Sequence, residues 1–216
     1  MKSRKKANGS RSPKKSTLRQ EKAEETRRAL IEAGVRVVGR YGYNGASISR
    51  ITARAKVALG TFYRHFDSRQ DLLDQLLPTM GRQLLDFVQE HVDREVVGPE
   101  REEQRLRAYL KFLVDHPWYH RLLNEAEVLA PNGFETYFKM ISSGMVRGLE
   151  RSVSRNEIKR YEPEELETVA YILLASRVYL AQQYAYKNGQ VKEPPEEVIK
   201  TYGKFVRYAL FDDNGA

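Results

Sequence analysis

The chain contains no cysteine. Disulfides, thiolate metal sites and cysteine nucleophiles are therefore excluded. It has no apolar run approaching the roughly 18–20 residues that a membrane span needs. Its basic start, MKSRKKANGSRSPKKST, is followed by no apolar stretch, so a secretory signal is not expected. These absences set the expectation of a cytoplasmic protein that engages no membrane. No glycine-rich phosphate loop, activated-serine motif or convincing carboxylate pair is present, which argues against an enzyme and against a bound cofactor. Strand patterns are nearly absent. Acidic residues are scarce at one end: residues 1–69 hold 18 Lys/Arg against five Asp/Glu, an excess of +13. Residues 70–216 hold 19 against 24, a balance of −5. A positive third joined to a negative remainder points to an anionic polymer or surface as the partner of the first third.

The 216 residues are 41% hydrophobic, enough for a substantial core. Residues 1–17 carry seven basic side chains and almost nothing apolar, which predicts a disordered basic arm. From about Leu18 to Tyr41 the pattern is helical, with Leu30, Ala33, Val37, Val38 and Tyr41 at spacings of three and four. Gly42 offers a stop. Ser47 is placed to cap a short helix to about Ala55, with Ile48, Ile51 and Ala55 inward. A tight turn at Lys56-Val57 leads to a second short helix, about 58–66. Asp67 or Ser68 then caps a helix over about 69–94, with a kink expected at Pro78. Further helices are expected over about 100–115, 117–129, 132–155, 163–187 and 195–212, bounded by Gly98-Pro99, Pro117, Pro131, Pro163 and Pro194-Pro195. The fold class is all-α.

The densest chemistry lies in GTFYRHFDSRQD, residues 60–71. Such a knot of aromatics, hydroxyl, imidazole and guanidinium suits a catalytic cluster, a piece of core, or a surface that grips an anion. Two short helices with a brief turn and a support helix before them form a helix-turn-helix pattern, in which the second helix lies in the major groove and its flanks hold phosphates. That arrangement puts Val57, Phe62 and Phe66 inward and Ala58, Leu59 and Thr61 toward the groove, with Gly60 allowing close backbone approach.

The stretch Tyr41-Gly42-Tyr43, Ser47-Ile48-Ser49-Arg50-Ile51, Val57 to Phe66, Ser68-Arg69 and Leu72-Leu73 resembles the DNA-binding domain of the TetR/AcrR family of bacterial transcriptional regulators. The resemblance covers about residues 22–80. It implies a TetR-type helix-turn-helix domain over 18–80 and a helical effector-binding and dimerisation domain over 81–216. It implies that Tyr63 and His65 bind backbone oxygens, that Arg69 holds a phosphate, and that Ser47 and Ser49 touch phosphate or base edges. Arg50 is a further candidate for phosphate or base contact. Each also has a plainer reading: Tyr63 as half-buried core, His65 as a structural histidine, Arg69 and Arg50 as solvated charges. The sequence departs from the family pattern at Ala58, where Ser or Thr usually supplies a capping hydroxyl. Ala58, Leu59 and Thr61 also form a groove set poor in bidentate hydrogen-bonders, so base reading would rest on thymine methyls, with help from Ser49, Arg50 or the basic arm, and on groove shape.

The resemblance further implies a repressor that binds a pseudo-palindromic operator in double-stranded DNA as a homodimer, and that a small hydrophobic effector releases it. Broad apolar stripes over 163–187 and 195–212 suit a dimer interface as well as an internal core. For the effector pocket the candidates are Phe87, Phe112, Trp118, Phe134 and Phe138, with Arg177 or Asn124 placing a polar end. Two other readings stand beside this one. The first is a DNA-architectural protein without ligand input. The second is an all-helical enzyme built on His116 and His120, whose four-residue spacing suits a metal pair except that Pro117 interrupts it and no Glu follows.

Overall fold

The computed structural model describes residues 13–187 and 190–211. Among these residues there are nine α-helices: α1 Pro13–Gly45, α2 Ile48–Ala55, α3 Leu59–Phe62, α4 Arg69–His91, α5 Gly98–Asp115, α6 Tyr119–Leu129, α7 Pro131–Ser154, α8 Leu166–Leu180 and α9 Glu196–Leu210. A 3₁₀ turn, Pro163–Glu165, leads into α8, and a π-helical turn, Ala181–Ala185, ends it. A two-residue antiparallel pair, Tyr186–Lys187 with Gln190–Val191, joins α8 to α9. The all-α expectation holds, with this small pairing as an addition. No helix among the described residues is long and apolar enough to cross a membrane.

Most of the expected basic arm, residues 1–12, lies outside the described residues. From Pro13 the backbone is already helical, so α1 begins before the expected start at Leu18. Leu30, Ala33, Val37 and Val38 form its buried stripe, but Tyr41 does not continue it. Tyr41 is exposed, and the guanidiniums of Arg50 and Arg40 lie over its ring at 4.7 and 5.1 Å. The helix breaks at Gly42, whose φ of 72° and ψ of 170° suit glycine alone. α6 fastens this break: Tyr43 N–H donates to Glu125 Oε2 at 2.9 Å, and Arg121 Nη1 donates to the Arg40 carbonyl at 3.1 Å.

Two expected features change. α4 ends at His91 rather than near residue 94; it contains Pro78, as expected. α3 is a single turn, Leu59–Phe62, because the N–H groups of Arg64, His65 and Phe66 bond back to Thr61 and Phe62 in a tightening turn rather than propagating an α-helix. Caps set the remaining boundaries. Ser47 Oγ accepts from Arg50 N–H at 3.3 Å, and Ser68 Oγ accepts from Asp71 N–H at 3.1 Å. Lys56 adopts a left-handed conformation at the end of α2, with φ 56° and ψ 40°.

One continuous core joins the whole. In the N-terminal part Leu30, Val38, Tyr43, Ile51, Phe62 and Phe66 close around Leu72 and Leu73 of α4. α4 then carries the core across the molecule, packing along α7, while α6 lies against α1. The approach of α7 to α4 is closest at Gly133, where a methyl group would stand 2.4 Å from the Asp74 carbonyl oxygen. On the far side a buried polar cluster ties three helices together. Glu102 of α5, 2% exposed, accepts from Arg105 and from Arg177 Nη2 of α8 at 2.5 Å, and Arg177 Nε donates to the Tyr202 hydroxyl of α9 at 2.9 Å. Burying Glu102 is tolerable because both its oxygens have cationic donors.

Candidate nucleic-acid interface

The helix-turn-helix unit is built from the inside out. Ile51, Phe62 and Phe66 are fully buried and Val57 half-buried, as their inward placement requires. Phe62 meets Phe66 at 5.4 Å between ring centres and Tyr63 edge-on at 5.3 Å. With the aromatic interior held, the opposite side of α3 is left outside. Leu59 is 54% exposed and Tyr63 58% exposed, although both side chains are large and apolar enough to have been buried. Ala58 is the N-cap of α3 and supplies no side-chain hydrogen bond, so the missing hydroxyl leaves the first N–H groups of α3 without a side-chain partner.

Gly60 is informative for what does not surround it. Nothing lies within 4 Å of the position where a side chain would begin, and its backbone φ is not positive. Neither packing nor conformation within this chain calls for glycine here. The backbone at Gly60 is left open to the outside.

Ser49 and Arg50 are exposed at the start of α2. The hydroxyls of Ser47 and Ser49 lie 3.0 Å apart, and Arg50 Nη1 donates to the Gly45 carbonyl at 2.7 Å. Thr61 Oγ1 accepts from Arg64 Nη2 at 2.9 Å. His65 is half-buried at the end of the same turn. Arg69 behaves differently from the reading that made it a phosphate holder. Its Nε donates to the Ala46 carbonyl at 2.7 Å and its Nη2 to the Tyr43 carbonyl, so it latches the start of α4 to the α1–α2 connection. Nη1 is left for an outside acceptor.

A signal missed in the sequence is the absence of acidic residues from the segment that builds this face. Between Glu32 and Asp67 there is no acidic residue, while Arg36, Arg40, Arg50, Arg54, Lys56 and Arg64 all fall in that interval. Arg50, Arg54, Lys56 and Arg64 are exposed on α2, its C-cap and the turn after α3. A surface of this kind, positive and presenting an apolar residue and a bare backbone at its centre, suits a polyanion with a groove.

A model of the family described as bacterial regulatory proteins, tetR family, matches residues 30–76, which is this unit with its support helix. This segment of the chain, residues 30–76, belongs to that family. Among curated relatives, the HTH-type transcriptional repressor DhaR of Mycobacterium sp. (strain GP1) is 32% identical over 89 residues, 41% of this chain and 43% of that protein. The alignment thus spans less than half of that relative. The HTH-type transcriptional regulator YhgD of Bacillus subtilis is 23% identical over 161 residues, 73% of this chain and 82% of that one. Among solved structures, the fatty acid degradation regulator FadR of Bacillus halodurans aligns at a TM-score of 0.64 with 15% identity, over 84% of this chain and 94% of that one. A tetR-family bacterial regulatory protein from Rhodococcus RHA1 aligns at 0.62 with 15% identity, over 86% and 97%. At such identities the structures share the fold. TetR-family proteins are DNA-binding regulators rather than enzymes.

The TetR-family fold here also encloses a cavity of about 490 Å³ between α4, α5, α7 and α8, within the roughly 300–1,000 Å³ typical of small-molecule sites. Leu84, Val88, Tyr109, Ile141 and Leu174 form much of its wall. Of the side chains expected to line a pocket, only Arg177 does so. Phe112 is buried core, packed edge-on against Phe87 at 5.6 Å and Tyr119 at 5.5 Å. Trp118 lies under the Arg36 guanidinium at 3.6 Å, on the α1 side. Phe134 and Phe138 meet at a tilt, 4.5 Å between ring centres, along α7, and neither lines the cavity. Asn124 bonds to the His120 ring on the surface of α6. Phe87, Phe112 and Trp118 are used in packing helices together, and Phe138 is exposed on α7.

His116 and His120 are also spoken for. His116 Nδ1 lies 2.9 Å from the Phe112 carbonyl, and its ring stacks on Phe112 at 4.1 Å. His120 stacks on Tyr186 at 4.1 Å, and burial lowers its pKa below the ordinary histidine value. Among the described residues no group of three or more His, Asp or Glu side chains is placed to hold a metal ion.

Proposed function

We propose that the chain is a homodimeric transcriptional repressor of the cytoplasm, that it binds a pseudo-palindromic operator through α2 and α3, and that a small effector in the cavity between α4, α5, α7 and α8 releases it. The observation that carries this reading is the outward face of α3. Leu59, Gly60 and Tyr63 have no employment inside the fold, and they sit in an acid-free, arginine-rich surround. Ser47, Ser49, Arg50, Tyr63 and His65 clamp backbone phosphates around it. Arg69 acts mainly by holding the unit against α1, with one free N–H pair toward the DNA. Ala58, Leu59 and Thr61 meet base edges chiefly by contact, so phosphates dominate the affinity and binding weakens steeply with salt. The repressor role follows DhaR and other relatives named as repressors.

The dimer reading rests on a second outward face. Helix α8 is apolar on two sides: Leu166, Val169, Ala170 and Leu173 face the core, while Tyr171, Ile172, Val178 and Tyr179 face out. Phe205 and Tyr208 of α9 are exposed beside them, and a groove between the two helices is lined by Ile172, Phe205 and Ala209. A helix that is apolar all round belongs inside something.

Selection from a pool of random duplexes tests the proposal. The full chain is expected to enrich one pseudo-palindrome, with half-sites centred about 10 base pairs, or a multiple, apart. Recovery of a pool without a preferred sequence would favour a DNA-architectural protein instead.

A further inference from the structure

The cavity wall is apolar over most of its area, yet five arginines line it: Arg94, Arg101, Arg105, Arg151 and Arg177. Their counter-charges are fewer. Arg101 pairs with Glu157 at 2.6 Å, and Arg105 and Arg177 share the single carboxylate of Glu102. Asp93 also lines the cavity, and its Oδ1 accepts from the Glu95 N–H at 2.9 Å. Arg94 and Arg151 have no carboxylate partner among the described residues. The wall's phenols add no negative charge: burial raises Tyr109 well above the ordinary tyrosine value, and burial pushes Tyr137 up to about 12. Arg101 further holds a buried Nε–H with no acceptor.

Two of these guanidiniums converge on one spot. A methyl group placed on Gly148 of α7 would stand 3.7 Å from Nη1 and Nη2 of Arg105 and 3.9 Å from Nη2 of Arg151. Gly148 itself is buried behind them, while Arg105 and Arg151 both line the cavity. Like charges brought to a common point repel unless an anion lies between them, and a planar guanidinium is suited to carboxylate or phosphate oxygens.

We propose that the cavity takes an anionic amphiphile, its carboxylate or phosphate head held by Arg105 and Arg151 above Gly148 and its alkyl tail laid against Leu84, Val88, Ile141 and Leu174. This rests on the effector-site reading and names the chemistry of that effector. It gives the small hydrophobic effector expected from the sequence an anionic end, held by Arg105 and Arg151 rather than by Arg177 or Asn124. Arg105 is pre-set for the task, because Glu102 holds its Nη1 and no described side chain accepts from its Nη2. Arg151 is exposed and unpaired, so it reaches the head without breaking an internal bond.

Calorimetric titration of the full chain with decanoate, decyl phosphate and decan-1-ol, below their aggregation limits at pH 7.5, tests the proposal. Both anions are expected to bind at least about tenfold tighter than the alcohol, the scale of one charge-assisted contact. Whichever anion binds tighter identifies the natural head. Arg151→Ala should weaken both anions about tenfold and leave the alcohol unchanged, with Arg151→Lys recovering part of the loss. Gly148→Asp plants a carboxylate between the same guanidiniums and should abolish anion binding while the alcohol still binds. The proposal is overturned if decan-1-ol matches the anions, if neither anion binds, or if Arg151→Ala leaves decanoate affinity unchanged. The titration contains no DNA, so its failure leaves the operator reading standing. A chain that binds decanoate yet selects no duplex loses the operator reading alone.

Discussion

Gly133→Ala is expected to lower the stability of the folded chain by about 2 kcal/mol, the middle of the range for overpacked cores. The reason is specific to its neighbour. The added methyl would lie 2.4 Å from the Asp74 carbonyl oxygen and 2.9 Å from the Asp74 carbonyl carbon and Cα, all of them backbone atoms of α4 that cannot rotate away. The start of α7 would have to retreat from α4, breaking the Gly133 N–H bond to Asp74 Oδ1 and the Asn132 bond to Asp74 Oδ2, both 3.3 Å. The better helix propensity of alanine offsets part of this loss, by up to about 1 kcal/mol. Gly144→Ala on the same helix is the control. Its methyl would meet only Leu85 Cδ2 at 4.0 Å, an ordinary contact, so that variant should be unchanged or more stable by about 0.5–1 kcal/mol. Urea unfolding of the two variants beside the parent gives the answer. Equal midpoints for Gly133→Ala and the parent would mean that α4 and α7 are not so tightly opposed.

The double substitution Ile172→Glu with Phe205→Glu is expected to convert a dimer into a monomer and to weaken operator binding at least about a hundredfold, since the second half-site would no longer be tethered to the first. Both side chains are more than half exposed in the single chain, so their replacement should not disturb its core. In a dimer they would be buried at the centre of the interface, where two carboxylates facing their copies carry both desolvation and repulsion. Sedimentation velocity reads the assembly and circular dichroism the fold. A well-folded double variant that still sediments as a dimer would place the interface elsewhere.

Much of this was readable from the sequence, and what was not has a common physical origin. The helix-turn-helix was legible because its chemistry is local: Ser47 caps α2, Lys56 turns the chain, and Phe62 and Phe66 bury within a few residues of the face they support. The length of α3 was less so. Whether Tyr63 to Phe66 extend the helix depends on a choice between neighbouring carbonyls, and the backbone took the tighter turn. The role of Arg69 was hidden because its acceptors, the carbonyls of Ala46 and Tyr43, are 23 and 26 residues away and reach it only through folding. The cavity was misread for the same reason. Aromatics look like pocket walls in a list, but Phe112 and Phe87 settle against each other, while the arginines that do line the space come from three helices and the α4–α5 connection. Tyr41 looked like part of a helix stripe until Gly42 ended the helix and left its ring outside, under Arg50.

DNA recognition by this chain depends on whether the exposed turn of α3 meets the duplex. The measurement is the affinity of Tyr63→Ala with His65→Ala for the duplex recovered by selection, read by fluorescence anisotropy beside the parent at the same salt. Losing two phosphate contacts in each protomer is expected to weaken binding at least about a hundredfold, at roughly 1.5 kcal/mol for each hydrogen bond to a charged group, with the thermal midpoint of unfolding little changed. A folded variant that binds within about twofold of the parent, well under 1 kcal/mol, would contradict the placement of this face on the DNA.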